Sequence, residues 1–328
     1  MSANIGDAFS PAVIVKDQRG AGMQGVVVTF AVASGGGSVT GESATTNTFG
    51  IAQVGSWILG ATPGLNTLTA SVAGLPSVTF EVTGTPKPCF TVMVNHEFGT
   101  TTNGTLGLED CLSDGVFTDF YSTKVGEAGA YLFKLSATFD AYLYLGTPGL
   151  INDFGRGLIA DNNNESSATT NSVIKALLPA GSYGLAASSW NWGDTGTYSL
   201  SSATTSSEVS GCEVVYIVRG VSTTQNIQTT DCLRTNGPAY ADQFLIYLNA
   251  GQVLTVSMAS TDVDSFLELY LVGPRAGARA LVAFNDNADT AGTNDARLSY
   301  SAFPAGYYAI VARTALNGQT GGYTLTVQ

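Results

Sequence analysis

The stretch Pro179–Leu200, PAGSYGLAASSWNWGDTGTYSL, returns as Pro304–Leu325, PAGYYAIVARTALNGQTGGYTL. The two align without a gap, 125 positions apart, with 10 of 22 residues identical. A chain that keeps such a segment twice folds it twice, so its architecture must contain two copies of one unit. The match extends upstream: CFTVMV answers CEVVYIV, and LIADNNNESSATTNSVI answers LVAFNDNADTAGTNDARL. Apolar alternation in YLFKLSA, QVLTVSMAS and YYAIVA predicts strands. PAG predicts a turn into a strand that lines one face with Tyr183, Leu185 and Ala187, or with Tyr308, Ile310 and Ala312. A turn near Gly193 or Gly318 then predicts a closing hairpin, with Tyr198 or Tyr323 packed on its last strand.

The rest of the chain reads the same way. It has 328 residues, enough for two or three domains, and only 12% are charged. Gly, Ser, Thr, Ala, Asn, Val and Leu take the remaining places, as in short strands joined by tight turns. No run of 18 apolar residues exists, so no membrane-inserted helix is expected. The net charge of −12 and pI of about 4.3, without a basic cluster, argue against nucleic acid as a partner. The start, MSANIGDAFS, lacks the basic and apolar regions of a signal peptide, as in a mature chain or a fragment.

Residues 1–86 predict one β-sandwich, with AVIVKD, GVVVTFAVA, NTLTASVAG and SVTFEVTG as strands between turn-forming separators. From Pro11 to Gly84 the order of motifs resembles the bacterial Ig-like domain of the invasin/intimin type (group 1). That resemblance implies a spacer or stalk. The family opens with a further strand, and only a few residues precede IGDAF here, so an exposed sheet edge is expected. TPKP, Thr85–Pro88, reads as a stiff linker.

Residues 87–205 and 210–328 carry the repeats. Each holds D-x-[YF], AG, [FV]-D-x-[YF]-L, an Asp/Asn cluster, PAG-x-Y and a final G-x-Y strand. In the first copy these are Asp119–Tyr121, Gly129, Phe139–Leu143, Asp161–Glu165, Pro179–Tyr183 and Gly196–Tyr198. In the second they are Asp242–Phe244, Gly251, Val263–Leu267, Asn285–Asp289, Pro304–Tyr308 and Gly322–Tyr323. The pattern resembles the bacterial pre-peptidase C-terminal domain, which implies a jelly-roll-like sandwich on secreted proteins. The expected fold is all-β, three β-sandwich domains in series: one Ig-like and two of the pre-peptidase C-terminal type.

Four cysteines form two groups, Cys89/Cys111 and Cys212/Cys232, at matching places in the repeats. Spacings of 22 and 20 are too wide for a metal knuckle, so two disulfides and an oxidising compartment are expected. His96 is the one histidine, and it reads as an exposed or satisfied loop residue. No GxSxG, HExxH, Walker loop or dinucleotide fingerprint is present, so no enzyme is expected. The glycines of Ser34–Val39 read as a hairpin turn.

The Asp/Asn clusters offer two readings. Asp140, Asp161, Glu165, Asp264, Asp286 and Asp289 supply hard oxygens that suit Ca²⁺, and the same residues close Asx turns. Trp190 and Trp192, in SSWNWGDTG, suit a glycan or protein contact, or one of them packs under its turn. These features together predict a non-enzymatic, extracellular surface protein of bacteria, structural or adhesive. Its expected partners are further copies of itself, head to tail in a filament or surface layer, or an extracellular glycan or protein. A glycan- or protein-binding module, or the accessory region of a secreted hydrolase, is the alternative.

Overall fold

The computed structural model describes residues 1–87, 93–108, 110–113, 115–148, 157–165, 168–233, 239–273, 279–287 and 294–328. The described residues are all-β, with ten strands among them in each of the three sequence segments. The first ten are β1 (Ser2–Asn4), β2 (Ala8–Phe9), β3 (Ala12–Ile14), β4 (Val27–Ser34), β5 (Ser38–Thr40), β6 (Ser43–Thr45), β7 (Ile51–Gln53), β8 (Ser56–Ile58), β9 (Gly64–Ser71) and β10 (Val78–Thr85). The first repeat holds β11 (Val94–Asn95), β12 (Thr101–Leu106), β13 (Cys111–Ser113), β14 (Val116–Val125), β15 (Gly129–Ala137), β16 (Ala141–Gly146), β17 (Leu158–Asn162), β18 (Ser172–Leu178), β19 (Gly181–Ser189) and β20 (Gly196–Thr204). The second holds β21 (Val214–Ile217), β22 (Val221–Ile227), β23 (Cys232–Leu233), β24 (Tyr240–Leu248), β25 (Val253–Ala259), β26 (Ser265–Val272), β27 (Arg279–Asn285), β28 (Ala296–Ser301), β29 (Gly306–Thr314) and β30 (Gly321–Val327). Each strand of the second repeat is the counterpart of the strand ten numbers earlier.

Two compact units result. One comprises Met1–Thr91, Thr105–Asp119 and Asn191–Gly196; the other comprises Val92–Gly104, Phe120–Trp190 and Thr197–Gln328.

In the smaller unit a sheet ordered β1-β10-β9-β4-β6 is accompanied by the short sheets β2-β8-β5 and β3-β7. Alternate residues of β4 and β9 point inward, so Val28, Phe30 and Leu68 meet Trp57, Leu59 and Val82 in one apolar core. Gly35, Gly36 and Gly37 all have φ between +73° and +84°, a region glycine enters without a Cβ penalty. They form a turn as expected, but not a hairpin: β4 and β5 lie in different sheets, and the turn carries the chain across. The expected bare edge is partly covered. Ser2–Asn4 lies parallel to β10, opposite Thr83–Thr85. The Asp7 carboxylate accepts the Asn4 N–H at 2.8 Å and turns the chain away after this short pairing. Val78–Val82 has no strand partner on that side among the described residues.

In the larger unit one sheet is ordered β11-β14-β19-β16-β17 and a four-stranded sheet is ordered β22-β30-β25-β28. Between them runs a ten-stranded sheet, β12-β20-β15-β18-β21-β24-β29-β26-β27 with β23 beside β24. The repeated closing segment is not a hairpin. β19 and β20 belong to different sheets, and so do β29 and β30. Positive-φ turns at Gly193 and Gly318 carry the chain over the core, so both strands of each copy present apolar faces to the same interior. Tyr183, Leu185, Ala187, Tyr308, Ile310 and Ala312 are buried as expected. Tyr183 and Tyr308 each donate a hydroxyl to the proline carbonyl of their own PAG turn, at 2.8 and 2.7 Å.

The ten-stranded sheet makes the two repeats continuous. β21 lies parallel to β18, with Ala176 opposite Tyr216 and Leu177 opposite Ile217. It also lies parallel to β24, with Val215 opposite Phe244. The segment between the repeats is packed: Val209 is fully buried, and its N–H donates to Gln225 Oε1 at 2.9 Å. Ala130 and Leu177 of the first repeat join Val209, Val215, Ile217 and Phe244 in one apolar cluster.

Candidate functional site

Joining the repeats through β21 brings tyrosines onto Asp161, at the inner end of β17. Tyr142 donates to Asp161 Oδ2 and Tyr307 to Asp161 Oδ1, while Tyr216 donates to the Asp161 carbonyl at 2.7 Å. The rings pack as well: Tyr307 lies 5.9 Å from Tyr216 and 5.2 Å from Tyr247, both edge to face. Burial, and then the neighbouring Asp161 carboxylate, push the phenols of Tyr142, Tyr216 and Tyr307 well above the usual tyrosine range. They stay protonated donors, and Asp161 is their shared acceptor. Beside this cluster a crevice of about 300 Å³ opens between Tyr183, Ile217, Arg219, Tyr247, Asn249 and Gln252.

Tyr142 also supports an exposed platform. Trp190 stacks on it at 5.5 Å with 9° between the planes, and the Tyr144 ring lies 4.6 Å from it, tilted by 36°. Trp190 is 54% exposed, and its backbone N–H donates to the Asp140 carbonyl at 2.8 Å. Trp192 is 82% exposed and belongs to the smaller unit, where its ring lies over Gly115.

The other residues singled out by sequence are placed as follows. Glu165 pairs with Lys134 at 2.9 Å on the surface. The Asp264 carbonyl accepts the Ala315 N–H at 2.7 Å, as the Asp140 carbonyl does that of Trp190. Asp286 is exposed and accepts from Asn287 Nδ2 at 2.8 Å. One oxygen of Asp140 is buried without a hydrogen-bond partner. Asp289 lies outside the described residues. Among the described residues no three His, Cys, Asp or Glu side chains stand close enough to hold a metal ion. Cys212 and Cys232 are joined in a disulfide. Cys111 is also disulfide-bonded, and Cys89 lies outside the described residues.

His96 is fully buried rather than exposed on a loop. Its ring nitrogens meet Thr102 Oγ1 at 2.8 Å and Ser202 Oγ at 2.9 Å. Burial lowers its pKa, so it sits neutral between two hydroxyls. Ser202 Oγ also accepts the Gly99 N–H at 3.1 Å. This is a satisfied core histidine that ties a loop to β20.

Each repeat holds a carboxyl that burial raises. Asp242, of the second D-x-[YF], is fully buried and accepts the Tyr323 hydroxyl at 2.7 Å. Its other oxygen has no hydrogen-bond partner. Burial pushes its carboxyl up to about 7; the Tyr323 bond opposes the rise, and Asp231 and Glu208 add to it. In the first repeat Asp110, which precedes Cys111 as Asp231 precedes Cys232, is raised to about 6 by burial and by Asp119.

The tyrosine cluster escaped the sequence reading. Its signal lies where the repeats differ: Tyr307 stands in PAGYY where the first copy has Ser182. A residue kept out of one copy and present in the other marks the surface where the copies meet.

No family model and no curated protein matches this chain. Among solved structures it is similar to the pre-peptidase C-terminal domain of a collagenase from Bacillus anthracis, at 18% identity, over 34% of this chain and 95% of that one, with a TM-score of 0.27. It is also similar to a protein of Eubacterium rectale inferred to be secreted, at 12% identity, over 72% of this chain and 78% of that one, with a TM-score of 0.23. A third is the CUB1-EGF-CUB2 region of rat MASP-1, at 9% identity, over 72% of this chain and all (100%) of that one, with a TM-score of 0.21.

Proposed function

We propose that this chain is a non-enzymatic, extracellular structural or adhesive protein of a bacterial surface, which assembles with copies of itself through β-strand contacts. In this reading residues 1–86 are an Ig-like spacer, and residues 87–205 and 210–328 are two modules of the pre-peptidase C-terminal type. The observation that carries it is the β18–β21–β24 joint, in which the chain unites its repeats by adding a strand to an edge. The Cys212–Cys232 disulfide suits an oxidising compartment. Asp140, Asp161, Glu165, Asp264, Asp286 and Asp289 remain the residues on which Ca²⁺ would act.

Electron microscopy and light scattering of the purified protein, with and without Ca²⁺, test the reading. Filaments or sheets that grow with concentration are expected. Strictly monodisperse monomers at high concentration, in both conditions, would end it.

The Trp190 platform favours a second reading, glycan binding. A ring held flat on Tyr142, with its outer face in water, suits the apolar face of a sugar. On a glycan array Trp190→Ala is expected to weaken any hit at least about tenfold, the scale of one stacked aromatic contact. An undiminished signal would remove the platform from the binding site.

A further inference from the structure

Strand addition joins the repeats once within the chain, and among the described residues both halves of that joint occur again at the ends of sheets. β18 carries β21 on its outer edge. The counterpart of β18 is β28, which ends the four-stranded sheet. The counterpart of β21 is β11, which lies parallel to β14 as β21 lies parallel to β24, and which ends its own sheet.

A groove lies beside β28. In the first repeat the space between β17 and β18 is closed by the second repeat, because Asp161 receives the hydroxyls of Tyr216 and Tyr307. In the second repeat the counterpart of Asp161 is Phe284, since Tyr144 pairs with the one and Glu268 with the other. Phe284 is 63% exposed, and a groove of about 410 Å³ runs between it and Ala283, Asn285, Arg297, Leu298 and Ser299. An open strand edge beside an exposed aromatic ring is a site for an added strand.

We propose that a second copy of this chain docks its β11 on β28, repeating the internal joint between molecules. The proposal rests on the assembly reading above and names its interface. β11 and β28 lie at different places on the chain, so the contact is heterologous, does not close on itself, and yields a head-to-tail filament. The side chains make it weaker than the internal joint. Where Ala130 and Leu177 are buried in the first repeat, the second presents exposed Val253 and Ser301. Main-chain pairing carries the contact, and assembly depends on concentration.

The register follows from the internal joint. Ala176 opposite Tyr216 sets Lys175 beside Val215. Val94 is the counterpart of Val215, because one pairs with Tyr121 and the other with Phe244, the last residues of the two D-x-[YF] motifs. Ser299 is the counterpart of Lys175. Leu135 faces Leu200 as Met258 faces Leu325, and three positions earlier Leu132 pairs with Lys175 as Thr255 pairs with Ser299. Val94 of one molecule therefore stands beside Ser299 of the next. Both are exposed in the single chain.

The double variant Val94→Cys/Ser299→Cys tests this under mild oxidation, read on a non-reducing gel beside electron microscopy of the unmodified protein. A ladder of dimers, trimers and longer species is expected from the double variant. Each single variant is expected to stop at dimers. Filaments of the unmodified protein without a ladder would overturn this interface and leave the assembly reading standing. Monomers throughout, with no ladder, would overturn both. Because both positions are exposed, circular dichroism matching the unmodified protein is expected for the variants, and a Val94→Cys/Ser222→Cys control, placing the second thiol on another strand, is expected to give no ladder.

Discussion

Asp242→Asn is expected to make the protein more stable than the natural chain at pH 8 and to flatten its stability profile between about pH 4 and 7. Asp242 is fully buried with one carboxylate oxygen unpartnered, and its carboxyl is raised to about 7. In the unfolded chain the same group titrates near 3.8. Between these values the folded protein holds a proton that the unfolded chain releases. Stability is therefore fully present below the unfolded value and is lost as pH rises through the folded one. A shift of about 3 units corresponds to about 4 kcal/mol at most. Asparagine keeps an acceptor for the Tyr323 hydroxyl and never ionises, so that slope disappears. Denaturant titrations of both proteins from pH 4 to 8 measure it. His96 acts with the opposite sign: its lowered pKa costs stability as pH falls below about 6.5. It is common to both proteins, so the difference between the two profiles isolates Asp242. Parallel profiles would refute the assignment of a strained buried carboxylate.

Burial on one face leaves a period of two in the sequence, and YLFKLSA and QVLTVSMAS form strands with alternating burial, while YYAIVA forms a strand buried on both faces. What that period does not encode is the partner. A hairpin and a crossing between sheets need the same turn residues and the same inward alternation, so by sequence the closing segment and the Ser34–Val39 turn both read as hairpins. The partner is set by the far side of the core, through contacts more than 100 residues apart such as that between Asp161 and Tyr307. β21 shows the same limit. CEVVYIV reads as a strand from its β-branched residues, yet pairing with both β18 and β24 depends on two edges that only the folded repeats create. Of the candidate site, Trp190 was visible as an aromatic residue in a loop. Its support by Tyr142 was not, because stacking across β16 and the segment after β19 leaves no local pattern.

Leu177→Asp is expected to separate the two repeats energetically. Leu177 is 2% exposed and lies in the apolar cluster that contains Ala130, Val209, Val215 and Ile217. An aspartate there either buries an unpaired carboxylate or opens the joint to water, and the first costs about 3–5 kcal/mol, as for a buried charge without its partner. Opening the joint relieves that charge and gives up the β18–β21 pairing and the bonds from Tyr216 and Tyr307 to Asp161. Calorimetry is therefore expected to resolve two transitions in the larger unit of the variant and one in that of the natural chain, and the hydroxyls of Tyr216 and Tyr307 should gain solvent exposure. Leu177→Met, which conserves volume, should keep the single transition with a loss below about 1.5 kcal/mol. If Leu177→Asp melts in one step at an unchanged temperature, β21 does not couple the repeats, and the template for strand-mediated assembly falls with it.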